Sequence, residues 1–166
     1  MDYLWSPWRY NYVSSADAVP SGKDHCLFCR VAASTDDAGN LLVLRAEHSF
    51  VLLNRYPYST GHLMIAPYEH VASLEDAGTA TLEEMMRLAQ RAEAALRSIY
   101  RPEGFNFGFN IGSCAGAGIA GHIHMHGLPR WAGDTSFMTT VGETRVLPED
   151  LGTTYQKLSP ALRSGR

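Results

Sequence analysis

The chain has 166 residues, 45% of them hydrophobic and 19% charged, which suits one globular domain with a sizeable core. Its formal charge of −3, from 17 acidic and 14 basic residues, argues against a duplex-DNA binder, which carries a basic patch. No apolar run reaches the length of a membrane span, and the N-terminal "MDYLWSPWRYNYV" lacks the apolar stretch of a secretory signal, so the expectation is a soluble, cytoplasmic protein with neither nucleic-acid nor membrane partners.

Residues 1–25 read as an arm and a loop. Tyr3, Trp5, Trp8 and Tyr10 are too many aromatics for a free tail, so the arm is expected to dock, on its own domain or on a partner subunit. Cys26 and Cys29 follow as C-x-x-C, and Cys114 stands alone. In a cytosolic chain that spacing reads as a metal half-site or a redox pair. The polar segment before it favours metal, two ordinary thiols being the plainer reading, and a structural zinc needs two further ligands. Residues 34–40, "STDDAGN", form a turn cluster. Residues 41–54, "LLVLRAEHSFVLLN", read as two strands around the hinge "RAEH", and 62–67, "HLMIAP", as a short strand ended by Pro67.

A helix is predicted over 81–100. Thr81 and Glu84 match a capping box. Leu82, Met85, Met86, Ala89, Leu96 and Ile99 give one apolar face. Residues 104–110, "GFNFGFN", alternate like a strand, and 111–121, "IGSCAGAGIAG", form a loop of small residues. A short strand is expected around "TRVL" (144–147), and the last stretch reads as polar and frayed. The pattern is α+β: antiparallel strands, one long helix and a closing strand.

That closing segment is "GHIHMHGLPRW", residues 121–131. Alternate residues of a strand share a face, so His122, His124 and His126 form a row about 6.5–7 Å apart at each step, with Ile123, Met125 and Leu128 available for packing. Imidazole can attack, exchange protons or bind metal. Beside a glycine-rich loop, whose N–H groups suit phosphate oxygens, such a row points to covalent phosphoryl or nucleotidyl transfer. The middle histidine is the natural nucleophile. One metal held by all three is awkward, because the outer two Cα atoms are about 13–14 Å apart. A metal at one end, completed by the cysteines, is not. Arg130 reads as an exposed residue or an anchor of the turn at Trp131.

"HIHMHGLPRW" resembles the motif of the histidine triad (HIT) superfamily, in which three histidines alternate with apolar residues. "LWSPWRYNYV", "CLFC", "VLLNRYPYSTGHLMIAPYEH", "GFNIGSCAGAGIAGHIHMHGLPRWAGDTSFM" and "ETRVLPEDL" extend the likeness to the bacterial branch related to diadenosine tetraphosphate phosphorylases and hydrolases. Gly127 departs from the pattern, standing where the family has an apolar residue, and is expected to loosen packing behind the strand.

The resemblance implies an antiparallel sheet flanked by helices and paired into a homodimer with a continuous sheet. It divides the chain into the arm (1–25), a HIT domain (26–150) and a C-terminal tail (151–166). It implies that His124 attacks the α-phosphate to form a nucleotidyl-histidine, that His126 contacts the phosphate and handles protons, and that His122 buttresses the site or binds metal. Asn54 would bond the ribose; Asn110 and the loop residues Gly116, Gly118 and Ile119 would meet phosphate. Cys26, Cys29, His70 and His122 would hold a structural zinc. The implied reaction is cleavage of a dinucleoside polyphosphate by phosphorolysis or hydrolysis. A nucleoside phosphoramidate hydrolase and a nucleotide-binding module without turnover are the alternatives. His62 is expected to pack in the sheet and His48 to be solvated; neither they nor His25 are assigned a role.

Overall fold

The computed structural model describes residues 22–134, 139, 141–142 and 146–164. The aromatic arm lies outside them, as do Thr144 and Arg145 of the strand expected around "TRVL"; Val146 and Leu147 are exposed and outside any strand.

Helix α1 (Leu27–Ala33) begins immediately after Cys26. Strands β1 (Leu42–Arg45), β2 (Ser49–Leu53) and β3 (Leu63–Pro67) follow, the first two joined by the hinge at Ala46–His48. Helix α2 (Thr79–Tyr100) leads to β4 (Gly104–Phe109), a loop leads on to β5 (Met125–Arg130), and α3 (Leu151–Ser164) closes the fold. The five strands form one antiparallel sheet in the order β1-β2-β3-β5-β4. No helix among the described residues is long and apolar enough to cross a membrane.

Both faces of the sheet are covered near β2, which explains why "SFVLL" is an apolar run rather than an alternation. Val51, Leu53, Leu63, Ile65 and Met125 meet Met85, Leu88 and Leu96 of α2 and Leu158 and Leu162 of α3. Phe50, Leu52, Met64 and Ala66 on the opposite face meet Phe28 and Val31 of α1. Arg45 fixes α1 there. Its guanidinium donates to the carbonyls of Ala32 (2.8 Å) and Ser34 (2.6 Å), groups a helix end leaves without partners, and pairs with Asp37.

Several local expectations change. Gly78, not Thr81, is the N-cap of α2, so no capping box forms. Glu84 instead accepts the N–H groups of Glu47 and His48 at 3.1 and 2.8 Å, satisfying the β1–β2 hinge. Met86 faces solvent, one position off the buried stripe. Arg101 closes α2 in the left-handed region at φ 48, just before Pro102. The segment read as a frayed tail is helix α3, because Leu158 and Leu162 are one turn apart and both fully buried. That helix also borders β1: Arg163 Nε and Ser159 Oγ both reach the Val43 carbonyl, at 3.1 and 3.5 Å. At the opposite border, no strand among the described residues pairs with the outer side of β4.

Gly127 does not loosen the packing behind β5. A Cβ there would stand 2.7 Å from the Phe107 ring and 2.9 Å from Leu63 Cδ1, so these two side chains fill the space an apolar residue would need.

Candidate active site and metal cluster

Strand β5 starts at Met125, so only His126 of the three histidines lies in the sheet. Its partners are Met64 on β3 and Gly108 on β4. Pairing with β3 ends at Ile65–Met125, and the chain before it is held by loops instead: Ile123 N–H donates to the Val71 carbonyl at 2.8 Å. His122 and His124 therefore precede the strand in irregular backbone. The row nonetheless stays together. The His124 and His126 ring centroids are 4.9 Å apart, and the Phe28 ring of α1 lies 5.1 Å from His122 and 4.7 Å from His124.

The nitrogens of the row are not equivalent. His124 Nδ1 lies 2.9 Å from the His122 carbonyl, which can only accept. The proton of neutral His124 therefore sits on Nδ1, and Nε2 carries the lone pair. Burial holds the ring neutral by lowering its pKa. An unprotonated imidazole with its outer nitrogen free is a nucleophile.

His126 is set by a residue that sequence reasoning placed in the sheet without a role. His62 is fully buried just ahead of β3. Its Nδ1 accepts the backbone N–H of Tyr58 at 3.1 Å, so neutral His62 is protonated at Nε2. Nε2 in turn lies 2.9 Å from Nδ1 of His126. That bond leaves neutral His126 with its proton on Nε2, a donor. Burial and the neighbouring rings lower the pKa of His62 to about 3 and that of His126 to about 4, so both are neutral near pH 7. Gly61 makes the turn possible: at φ 80 it lies against Leu96 and Pro129 and lets the chain bring Tyr58 back onto His62. Spacing from the row could not have located His62, because β3 is brought beside β5 only by the tertiary pairing.

The other expected contacts are placed unevenly. Asn110 directly follows β4, whose last pair is Phe109–Met125. The loop makes a 3-10 turn at Ser113–Ala115 and then reverses at Gly116, φ 91. Gly118 is half-buried, and Ile119 packs against the apolar cluster between α1 and the sheet. Asn54 stands at the end of β2, where its Oδ1 accepts the Tyr56 N–H at 2.9 Å and its Nδ2 is 3.4 Å from His62 Nε2.

At the other end of the row, Cys26, Cys29, His70 and His122 converge, with one ligand atom from each within 4.8 Å of all the others. Cys26 Sγ lies 3.3 Å from His122 Nδ1, and Cys29 Sγ lies 3.3 Å from His70 Nδ1 and 3.6 Å from His122 Nδ1. Sulfur and nitrogen donors around one tetrahedral ion stand about 3.3–3.8 Å apart. His122 Nε2 donates to the Pro67 carbonyl at 2.9 Å, which turns its Nδ1 lone pair toward the sulfurs. Burial and the neighbouring Cys26 push the Cys29 thiol up, a cost that a bound cation reverses. The donor set can hold a metal ion, and the spacing fits one.

Comparisons with known proteins agree with this geometry. The HIT domain model matches residues 36–133. An "AP-4-A phosphorylase" of Mycobacterium tuberculosis is 38% identical over 160 residues, covering 94% of this chain and 82% of that protein. A crystal structure of a Zn-bound histidine triad family protein from Mycobacterium smegmatis superposes with a TM-score of 0.69 at 29% identity, over 86% of this chain and 96% of that one. A HIT family member from Bacillus subtilis gives 0.59 at 25% identity, over 81% and 95%. The sheet, the histidine row and the matched sequence lead to one assignment: the chain belongs to the HIT family.

Proposed function

We propose that this HIT-family enzyme cleaves dinucleoside polyphosphates of the diadenosine tetraphosphate kind at the α-phosphate, through a nucleotidyl-histidine. The observation that carries the reading is the His124 Nδ1 bond to the His122 carbonyl, which leaves Nε2 as a lone-pair donor. Nε2 attacks the α-phosphorus; a P–N bond forms and the P–O bond to the leaving polyphosphate breaks. His126, protonated at Nε2, hydrogen-bonds the oxygens that gather charge. Water or inorganic phosphate then attacks the same phosphorus, the P–N bond breaks, and AMP or ADP leaves. Two in-line displacements give net retention at phosphorus. The loop through Gly116, with the N–H groups of Gly118 and Ile119 and the side chain of Asn110, stabilises the phosphoryl oxygens, the main source of rate in such transfers. Asn54 bonds the ribose.

Zinc is the metal that two thiolates and two imidazoles suit. Cys26, Cys29, His70 and His122 would hold it, and the ion would supply structural support by fixing the ring of His122 and so the chain leading into β5. The working unit in this reading is a cytoplasmic homodimer joined into one continuous sheet, with residues 26–150 as the HIT domain between the 1–25 arm and the 151–166 segment.

The test is product analysis with diadenosine tetraphosphate, with and without inorganic phosphate, beside His124→Ala. ADP plus ATP only with phosphate identifies a phosphorylase; AMP plus ATP in water alone identifies a hydrolase. No cleavage by the parent protein refutes the reading and turns attention to phosphoramidates. Equal activity in the variant removes His124 as nucleophile.

A further inference from the structure

Beyond His126, the same face of β5 continues through Leu128 to Arg130. Its register places Gly108, Asn106 and Gly104 of β4 beside these residues. A groove of about 200 Å³ opens there, lined by Tyr58, Ser59, Asn106, Leu128 and Arg130. The groove adjoins the reacting centre through one wall, because the Tyr58 ring stacks on His126 at 6.1 Å and packs on His62 at 4.7 Å. Its walls are set by bonds between elements. Ser59 Oγ donates to the Pro129 carbonyl at 3.3 Å. Arg130 donates through Nε to Asp134 Oδ2 at 2.5 Å and through Nη1 to the side-chain Oδ1 of Asn106 at 2.7 Å. A half-exposed arginine is thus held in one orientation at the far end of the groove.

We propose that this groove is the subsite for the leaving half of the substrate, its outer phosphates and second nucleoside, with Arg130 as a specificity-determining residue. The inference rests on the function proposed above. Arg130 is four residues from His126, about 13 Å along the strand. That span is beyond a single phosphate at His124 and within the reach of a phosphate chain that ends in a nucleoside. The groove offers what such a group needs: an aromatic face at Tyr58, an apolar floor at Leu128, and a guanidinium fixed by Asn106 and Asp134.

Binding separates this from the catalytic reading. In the His124→Ala background, affinities for diadenosine tetraphosphate and for AMP are measured by calorimetry, with and without Arg130→Ala. The same pair of titrations is run with Asn106→Ala, which leaves the Arg130–Asp134 pair in place. The expected result is tighter binding of the dinucleotide than of AMP, an Arg130→Ala loss of about tenfold for the dinucleotide, a smaller loss for Asn106→Ala, and no change for AMP. Equal losses for both ligands would make Arg130 an anchor of the turn after β5 and overturn the subsite. So would an unchanged dinucleotide affinity, or a dinucleotide that binds no better than AMP. Failure of the parent enzyme to cleave diadenosine tetraphosphate refutes the function instead, and these titrations read out independently of it.

Discussion

The two ends of the histidine row meet different surroundings. At His122 the imidazole is fully buried, its Nε2 is bonded to Pro67, and its Nδ1 faces two sulfurs. At His126 the ring is partly accessible and is bonded through Nδ1 to another imidazole, His62. One end is closed in by its neighbours and the other is partly open to solvent. His124, between them, is fixed by the backbone of the first and touches the ring of the second. The same side chain repeated at alternate positions thus acquires three different settings from its neighbours alone.

Substitutions can separate the two ends. The largest effect is expected at the middle: His124→Ala should lower kcat by about 10³-fold or more, with the folded state retained by circular dichroism. Next comes the buried end. Cys26→Ser should cost roughly 2–4 kcal/mol, seen as a melting temperature about 5–10 °C lower, and metal content should fall in parallel by elemental analysis. A variant that lost metal and kept its melting temperature would dissolve the distinction between the ends. At the accessible end, His62→Ala should reduce kcat about 10- to 100-fold, keep bound metal, and change the pH profile, since His126 would no longer be held as an Nε2 donor.

The same end of the row also sets stability against pH. His62 and His126 have folded pKa values of about 3 and 4, below the usual 6.5. Folding therefore favours their neutral forms. Their contribution is complete above pH 6.5 and is lost as pH falls from there toward 4 and 3, by up to about 1.4 kcal/mol per pH unit for each group. Urea midpoints measured from pH 8 down to 4 should stay level and then decline, and the decline should be shallower in His62→Ala.

Much of the architecture was legible because it is local. The strands at 42–45, 49–53 and 104–109 and the long helix follow from apolar runs, alternation and breakers that act within a few residues. The four-residue metal cluster was legible through resemblance, and the side chains do converge. What escaped reading depends on distant partners. Glu84 looks like a cap from its spacing, yet the hinge 36 residues earlier makes better use of its carboxylate. Residues 151–164 look polar until Leu158 and Leu162 are set against α2 and the sheet. His62 gains its role only when β3 lies beside β5, and Gly127 is small because Phe107 and Leu63 arrive from two other strands.

The two borders of the sheet carry a further consequence. Beside β1, Arg163 and Ser159 reach the Val43 carbonyl; beside β4, no strand among the described residues pairs with the outer side. A ribbon with one sealed selvedge can be sewn to another along its free side alone. Were two copies joined that way, no raw margin would be left, and growth would halt at the pair instead of running on into a filament.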